Sequence, residues 1–128
     1  MSVTATLSGA IQLTDNVAGD TSLSKSINQS YTGTYSGFTQ SQLIGTGTTA
    51  LTLPGSPVQF VYIRNLSTTS GNNVTIQWTA NGGSSQNITS LSAGAAIFLT
   101  ETDTTQGVTA ISLSAVVAGS PVEYILAA

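Results

Sequence analysis

Short segments of alternating apolar and polar residues recur about every 10 to 14 residues, separated by clusters of Gly, Pro, Asn and Ser. Successive side chains of a strand point to opposite faces, whereas those of a helix repeat every 3.6 residues. The chain alternates and shows no sustained helical period. The pattern predicts an all-β protein: a jelly-roll-like antiparallel β-sandwich of about eight strands with no substantial helix. An up-and-down barrel and an immunoglobulin-like sandwich are the alternatives.

The run at residues 58–65 is the longest stretch of β-branched and aromatic residues in the chain. Its two faces as a strand are both apolar, with Val58, Phe60 and Tyr62 on one and Val61 and Ile63 on the other. A strand of this kind is typical of the middle of a sheet that has other residues packed on each side.

Further strands are predicted at residues 74–79, 95–99, 108–117 and 122–126, all C-terminal to the central run. Their core-facing positions are predicted to be Val74, Ile76 and Trp78, then Ile111 and Leu113, then Val122, Tyr124 and Leu126. Trp78 is therefore expected on the core side rather than on an exposed surface that could stack on a sugar. The fold nucleus is predicted to be the last 70 or so residues.

The first 40 residues are more polar and are predicted to contact partners. Residues 1–20 alternate weakly and predict an extended N-terminal arm or an edge strand of a single domain that spans residues 1–128. Tyr31, Tyr35 and Phe38 follow in a background of Ser, Thr and Gly. These aromatic residues belong either to a loosely packed edge strand and loop or to a contact with a neighbouring subunit, because aromatic residues in polar surroundings resemble interface anchors.

Charge is scarce, with two Lys or Arg against five Asp or Glu and a net charge of −3. Two cations cannot neutralise a nucleic-acid backbone or bind an anionic membrane, so neither is an expected partner. A weakly charged surface also lacks the repulsion that keeps copies of a protein apart. The composition therefore favours self-association.

Catalytic groups are equally scarce, because the chain has neither His nor Cys. Glu101 and Asp103 lie two positions apart and are expected to form a solvated turn rather than an acid–base pair. They, or the group Asp15, Asn16 and Asp20, have oxygen ligands that suit calcium, but neither matches the spacing of an EF-hand loop. We predict no catalytic residue, no cofactor and no metal site, and an enzyme is the least favoured class.

Arg64 closes the central run and is one of the two cations. It is expected either to reach water at the strand end or to form an ion pair with Glu123, Glu101 or Asp103, within a subunit or across an interface. With the three aromatic residues, the candidate interface set is Tyr31, Tyr35, Phe38 and Arg64. The N-terminus shows no secretory signal pattern, and no apolar run approaches the length that spans a membrane.

Several segments carry a family likeness in their order along the chain. They are the Ser/Thr-rich leader at 22–26, IGTGTTALTL at 44–53, VYIRNL at 61–66, NVTIQ at 73–77, LSAGAAIFL at 91–99 and VEYIL at 122–126. From about residue 40 onward, the chain resembles small virion structural proteins of tailed bacteriophages, the kind that coat or cement a capsid.

The resemblance implies a β-sandwich subunit, made in the host cytoplasm, that forms homotrimers or other symmetric clusters on the capsid surface. Its partners would be itself and the major capsid protein, and an N-terminal strand could add to a neighbour's sheet edge. A tail or fibre component, a surface-filament subunit that needs export, and a carbohydrate-binding module are the alternatives. In the carbohydrate-binding module, Trp78, Tyr31 or Tyr35 would stack on sugars.

Overall fold

The computed structural model describes residues 2–13, 23–34, 42–101, 103 and 105–128, and every regular element among them is a strand. No helix of the described residues is long and apolar enough to cross a membrane. The strands are β1 (Ser2–Leu13), β2 (Leu23–Thr34), β3 (Gln42–Ile44), β4 (Thr49–Ala50), β5 (Phe60–Asn65), β6 (Val74–Ala80), β7 (Ser85–Leu91), β8 (Ala96–Thr100), β9 (Val108–Ala115) and β10 (Ser120–Ala127). The predicted all-β class is confirmed.

Eight of the strands form two four-stranded antiparallel sheets. Sheet I has the order β3-β10-β5-β8, and sheet II has the order β4-β9-β6-β7. The pairs are nested along the chain: β3 with β10, β4 with β9, β5 with β8 and β6 with β7. Nested pairs divided between two sheets are the topology of a jelly roll, as the sequence predicted.

The central run forms β5, which lies between β10 and β8 in sheet I. Val61 and Ile63 on its inner face are fully buried, as are Val74 and Ile76 on the facing sheet. Full burial of such side chains stabilises the fold by about 1.5–3 kcal/mol each. The predicted inward positions are confirmed, with Val122, Leu126, Ile111 and Leu113 also buried and with Trp78 and Tyr124 partly buried against the core.

Val58 lies outside β5 and connects the two sheets at one end of the sandwich. Its N–H donates to the Val108 carbonyl at 2.7 Å, and the Val108 N–H donates back at 2.9 Å. Gly107 precedes this bridge with a φ of 120°, and a Cβ at that position would collide with the Val58 carbonyl oxygen. Glycine is therefore required where the two chain segments approach each other.

Asn65 is a polar residue at the C-terminal end of β5, with no exposed surface. Its Nδ2 donates to the Asn72 carbonyl at 2.7 Å and to the Leu91 carbonyl at 3.0 Å, while its Oδ1 accepts from the Ser67 N–H at 3.0 Å. Leu91 ends β7 of sheet II, so one side chain joins both sheets. Its three bonds satisfy a group that would otherwise be costly to bury.

The first two strands form a separate two-stranded sheet, which we call the ribbon. β1 and β2 pair from Ser2 with Thr34 to Leu13 with Leu23, and neither strand is hydrogen bonded into sheet I or sheet II. Residues 2–13, within the segment predicted to be an arm or edge strand, therefore form one long strand whose partner is β2. The ribbon is connected to the sandwich through residues 35–41, which lie outside the described part of the chain.

Candidate protein-interaction surface

The outer faces of the two sheets differ in chemistry. Residues paired across antiparallel strands share a face, so the register assigns the outer positions. Those of sheet II are mostly polar and include Thr75, Gln77, Thr79, Ser90, Ser112 and Ser114. Those of sheet I are mostly apolar, and Phe60 among them is already buried. The others include Leu43, Tyr62, Phe98, Pro121 and Ile125, a set that we call the apolar face.

One row of the apolar face crosses three strands in register. Tyr62 lies between Ile125 on β10 and Phe98 on β8. The Phe98 side chain is 47% exposed although it is a large hydrophobic residue, and Leu43 on the edge strand is 67% exposed. Connected apolar side chains on one sheet face are typical of a surface that another protein covers. The apolar face is therefore the candidate functional site.

A charged row borders the aromatic row. Arg64 is paired in register with Glu123 on one side and Ala96 on the other. Its Nη1 lies 4.0 Å from Glu123 Oε1, and the Arg64 side chain is 48% exposed. The predicted pairing of Arg64 with Glu123 is confirmed within one subunit. At this distance and exposure the pair contributes about 0–1 kcal/mol, so its main effect is to place a guanidinium beside aromatic residues.

Tyr62 connects the two rows. Its hydroxyl donates to Glu123 Oε1 at 3.0 Å. Partial burial raises the pKa of Tyr62 above its usual value, and the hydrogen bond and negative charge of Glu123 raise it further. The phenol therefore stays protonated and keeps donating at neutral pH. Interface centres are enriched in this combination of Tyr, Phe and Arg.

Apolar exposure continues at the corner beside β3. Val116 and Val117, in the turn between β9 and β10, are both exposed. Ser120 Oγ donates to the Val117 carbonyl at 2.7 Å, and the Gly119 N–H donates to the Ile44 carbonyl at 2.9 Å. These bonds hold the turn beside the C-terminal end of β3.

The structure describes two of the four residues that were predicted for an interface. Arg64 lies on the apolar face, and Tyr31 lies in β2 opposite Ala5. Tyr35 and Phe38 lie outside the described residues. Sequence reasoning missed Phe98 as an exposed member of the apolar face, because its neighbours follow from strand register rather than from local sequence. The one available signal was the central run itself, in which both faces are apolar.

Glu101 and Asp103 form the predicted turn. The Asp103 N–H donates to Glu101 Oε1 at 3.1 Å, and Asp103 Oδ1 accepts from the Thr105 N–H and hydroxyl at 2.8 and 2.7 Å. The Thr105 hydrogen bonds lower the pKa of Asp103, because they stabilise its carboxylate. In the described part of the chain, no three acidic side chains are grouped so that they could hold a metal ion. Asp15, Asn16 and Asp20 lie outside it.

Trp78 lines a cavity of about 260 Å³ at the end of the sandwich marked by the Val58–Val108 bridge. The other lining residues are Ala80, Leu99, Glu101, Gln106, Gly107 and Val108. In a cavity with this lining, an indole can stack on a sugar, and carboxylate and amide groups can hydrogen bond to its hydroxyls.

A jelly roll does not define a function by itself, because one fold carries many unrelated activities. No protein-family model, no curated protein and no solved structure matches this chain.

Proposed function

We propose that the protein is a virion structural protein of the decoration type, which associates with itself and binds the outer surface of a capsid. The observation that carries the proposal is the contrast between the two outer faces of the sandwich. The outer face of sheet I exposes Phe98 and Leu43, whereas the outer face of sheet II consists mostly of hydroxyl and amide side chains. A subunit with one apolar side is suited to adhere to another protein through that side.

The apolar face has the chemistry of an adhesive contact. Each large side chain that becomes fully buried contributes about 1.5–3 kcal/mol, while association itself costs at least several kcal/mol. Several side chains must therefore be covered together, and the row Ile125–Tyr62–Phe98 presents them side by side. Arg64 and Glu123 at the border would orient the partner more than they would add affinity.

Two further observations support the proposal. Segments from about residue 40 onward resemble decoration proteins of tailed bacteriophages in the order of their strands. The jelly roll is a recurrent fold of viral capsid domains, although it also occurs in lectins. Bridging neighbouring capsid subunits through apolar and hydrogen-bonded contacts would strengthen the shell against the pressure of packaged DNA.

Self-association and capsid binding can be measured on the same variants. Phe98→Ser shortens an exposed side chain and should leave the fold intact, as circular dichroism would verify. We expect the wild-type protein to be oligomeric in size-exclusion chromatography with light scattering and to co-sediment with capsids that lack it. Phe98→Ser should weaken both properties at least tenfold, whereas Thr79→Ser on the outer face of sheet II should change neither. A wild-type protein that is monomeric and does not bind such capsids would refute the proposal.

A second candidate is a carbohydrate-binding module, which the Trp78 cavity favours. Glu101 and Gln106 line this cavity together with Trp78. Gln106→Ala changes an exposed residue, so it should reduce binding to an oligosaccharide without lowering the melting temperature. A glycan array that gives no signal with the wild-type protein would eliminate this candidate.

A further inference from the structure

Three of the four edge strands that the described part of the sandwich has carry a feature that discourages pairing with another chain. Unpaired N–H and C=O groups along an edge can accept a strand from a neighbour, and folded proteins limit this with short edges, bulges, charge or proline. β3 and β4 have only three and two residues. β7 contains a bulge, because its register with β6 skips Ile88. Each of these edges is therefore a poor template for a further strand.

β8, the fourth edge, carries none of these features. It pairs with β5 in a continuous register and contains neither Pro nor a charged residue. Among the described residues, β5 is its one hydrogen-bonded neighbour. Its central residue, Phe98, is exposed although it is large and hydrophobic. β8 is therefore the edge of the sandwich that is suited to accept a strand.

The hydrogen bonds to β5 show which backbone groups of β8 face the open edge. Just before β8, the Ala95 carbonyl accepts from the Asn65 N–H at 2.9 Å. Just after β8, the Glu101 N–H donates at 2.8 Å to the carbonyl of the residue that precedes β5. Bonding to one neighbour alternates along an antiparallel strand, so the odd-numbered residues of β8 are bonded to β5. The N–H and C=O groups of Ala96 and Phe98 are therefore directed away from β5.

The sequence of β8 is compatible with pairing to its own copy. Antiparallel pairing about Phe98 places the Phe98 residues of two copies opposite each other and places Ile97 opposite Leu99. Ile97 and Leu99 are partly buried against the core of their own subunit, so the two cores would become continuous. Glu101, the nearest charged residue in the sequence, would lie opposite the uncharged Ala95, so like charges do not meet.

Length favours β8 over the other strands that a second copy could offer. A second β8 matches all five residues of this edge. A ribbon strand of 12 residues would leave more than half of its length unpaired, and β3 or β4 would leave part of β8 unpaired. Pairing of β8 with itself satisfies both edges with one contact.

We propose that the β8 edges of two copies pair antiparallel about Phe98 and join two copies of sheet I into one eight-stranded sheet. The inference deepens the proposed function, because it rests on self-association and identifies the contact. The contact is isologous, since the same edge serves in both subunits and a twofold axis passes beside Phe98. The joined sheet ends on each side at β3, whose three residues limit further addition, so pairing through sheet I stops at a dimer.

Substitutions at Ala96 test the edge pairing in the full-length chain. Ala96→Pro removes an N–H that faces the open edge, so the dissociation constant of the dimer, from light scattering over a concentration series, should rise at least tenfold. Ala96→Glu leaves the backbone unrestricted, puts a charge on the edge opposite Arg64 of its own subunit, and should have the same effect. Ala96→Ser is the matched control and should dimerise as the wild type does. Circular dichroism would verify the fold of each variant.

Disulfide trapping tests the register, because the natural chain has no Cys. Pairing about Phe98 places Ala96 of one copy opposite Thr100 of the other, with about 5.5 Å between their Cα atoms, which a disulfide can span. It places the two Ala96 residues about 14 Å apart, which a disulfide cannot span. Chains with Ala96→Cys and tagged chains with Thr100→Cys, refolded together and oxidised, should therefore give a mixed disulfide on a non-reducing gel. Ala96→Cys alone should give at least tenfold less disulfide-linked dimer.

The outcomes separate this contact from the self-association on which it rests. A wild-type protein that is monomeric in light scattering would refute both. An oligomer that withstands Ala96→Pro and Ala96→Glu, or that gives no mixed disulfide between positions 96 and 100, would overturn the β8 contact and leave self-association standing. If Ala96→Pro does not fold, the Ala96→Glu variant and the disulfide decide the question.

Discussion

At the residue scale, Asn65 shows how one polar side chain can fix the alignment of two sheets. Three hydrogen bonds connect it to the Asn72 and Leu91 carbonyls and to the Ser67 N–H. All three partners are backbone groups. One of them, the Leu91 carbonyl, lies 26 positions further along the chain. Residues that are buried and polar restrict how the apolar layers can slide, because any shift would leave a group without its partner.

We expect Asn65→Ala to lower the free energy of unfolding by about 2–4 kcal/mol, because backbone groups in the core would lose their partner. Urea denaturation followed by fluorescence of Trp78 would measure this change. Asn87→Ala is the control, because Asn87 also accepts a side-chain hydrogen bond, from Gln77 at 2.6 Å, but at the surface. Its cost should stay below about 1 kcal/mol. Equal effects of the two substitutions would contradict the role of Asn65.

The environment of Tyr62 predicts that the stability of the fold depends on pH in the alkaline range. Its pKa is raised in the folded protein by partial burial and then by Glu123, so folding favours the protonated phenol. The stability that this provides is complete below the ordinary tyrosine pKa of about 10 and is lost as pH rises through the higher pKa of the folded state. The stability advantage of the wild-type protein over Tyr62→Phe should therefore shrink as pH rises above about 10, as urea denaturation at increasing pH would show.

Absorbance titration of the phenolate would check the same effect directly. The difference between the wild-type and Tyr62→Phe titrations gives the curve of Tyr62 alone. We expect its midpoint above the usual tyrosine value, and a midpoint at or below that value would disprove the assigned environment.

At the element scale, the sandwich strands could be predicted with more success than the ribbon. Residues 74–79 and 122–126 alternate between large apolar and polar residues, and they became β6 and β10 with the predicted inward faces. β1 and β2 are rich in small and hydroxyl residues, and their hydropathy alternates only weakly. Neither the lengths of these strands nor their pairing with each other could therefore be predicted from the sequence. Their partner choice depends on register between distant segments, which local alternation does not specify.

The same limit explains why the apolar face escaped prediction. Tyr62, Phe98 and Ile125 become neighbours only when β5, β8 and β10 pair in one register. Arg64 was easier to place, because the chain has only five carboxylate side chains that could pair with it. The pairing of Arg64 was predictable because few partners were possible. The apolar residues are numerous, so the sequence alone does not show which of them lie on the surface.

The Val58–Val108 bridge gives a prediction for the end of the sandwich. Gly107 combines a positive φ with close approach of the Val58 carbonyl, so Gly107→Ala should separate the bridge and lower the free energy of unfolding by about 2 kcal/mol or more. Gly82→Ala is the matched control, because that glycine also has a positive φ, of 74°, but has open space around its Cβ position. Thermal denaturation should show the larger loss for Gly107→Ala, and equal losses would mean that the close approach has no energetic role.

At the scale of the whole molecule, the sandwich is predicted to fold without the ribbon. Because neither ribbon strand is hydrogen bonded into sheet I or sheet II, a chain that lacks residues 1–34 should still fold into the sandwich. Its urea transition should remain cooperative, with a free energy of unfolding within about 2 kcal/mol of that of the monomeric full-length chain. Its self-association should be retained, as light scattering would show, because β8 is still present. Loss of cooperative unfolding would indicate that the ribbon belongs to the folding unit.

The hydroxyl-lined outer face of sheet II has a consequence for the exterior of any coat that this subunit builds. With the apolar face turned inward, the side presented to the medium binds water through Thr, Ser and Gln and carries almost no charge. Particles that repel one another through charge clump when salt screens that repulsion. The uncharged outer side of the proposed coat offers little repulsion for salt to screen, so we expect its tendency to clump to change little with salt concentration.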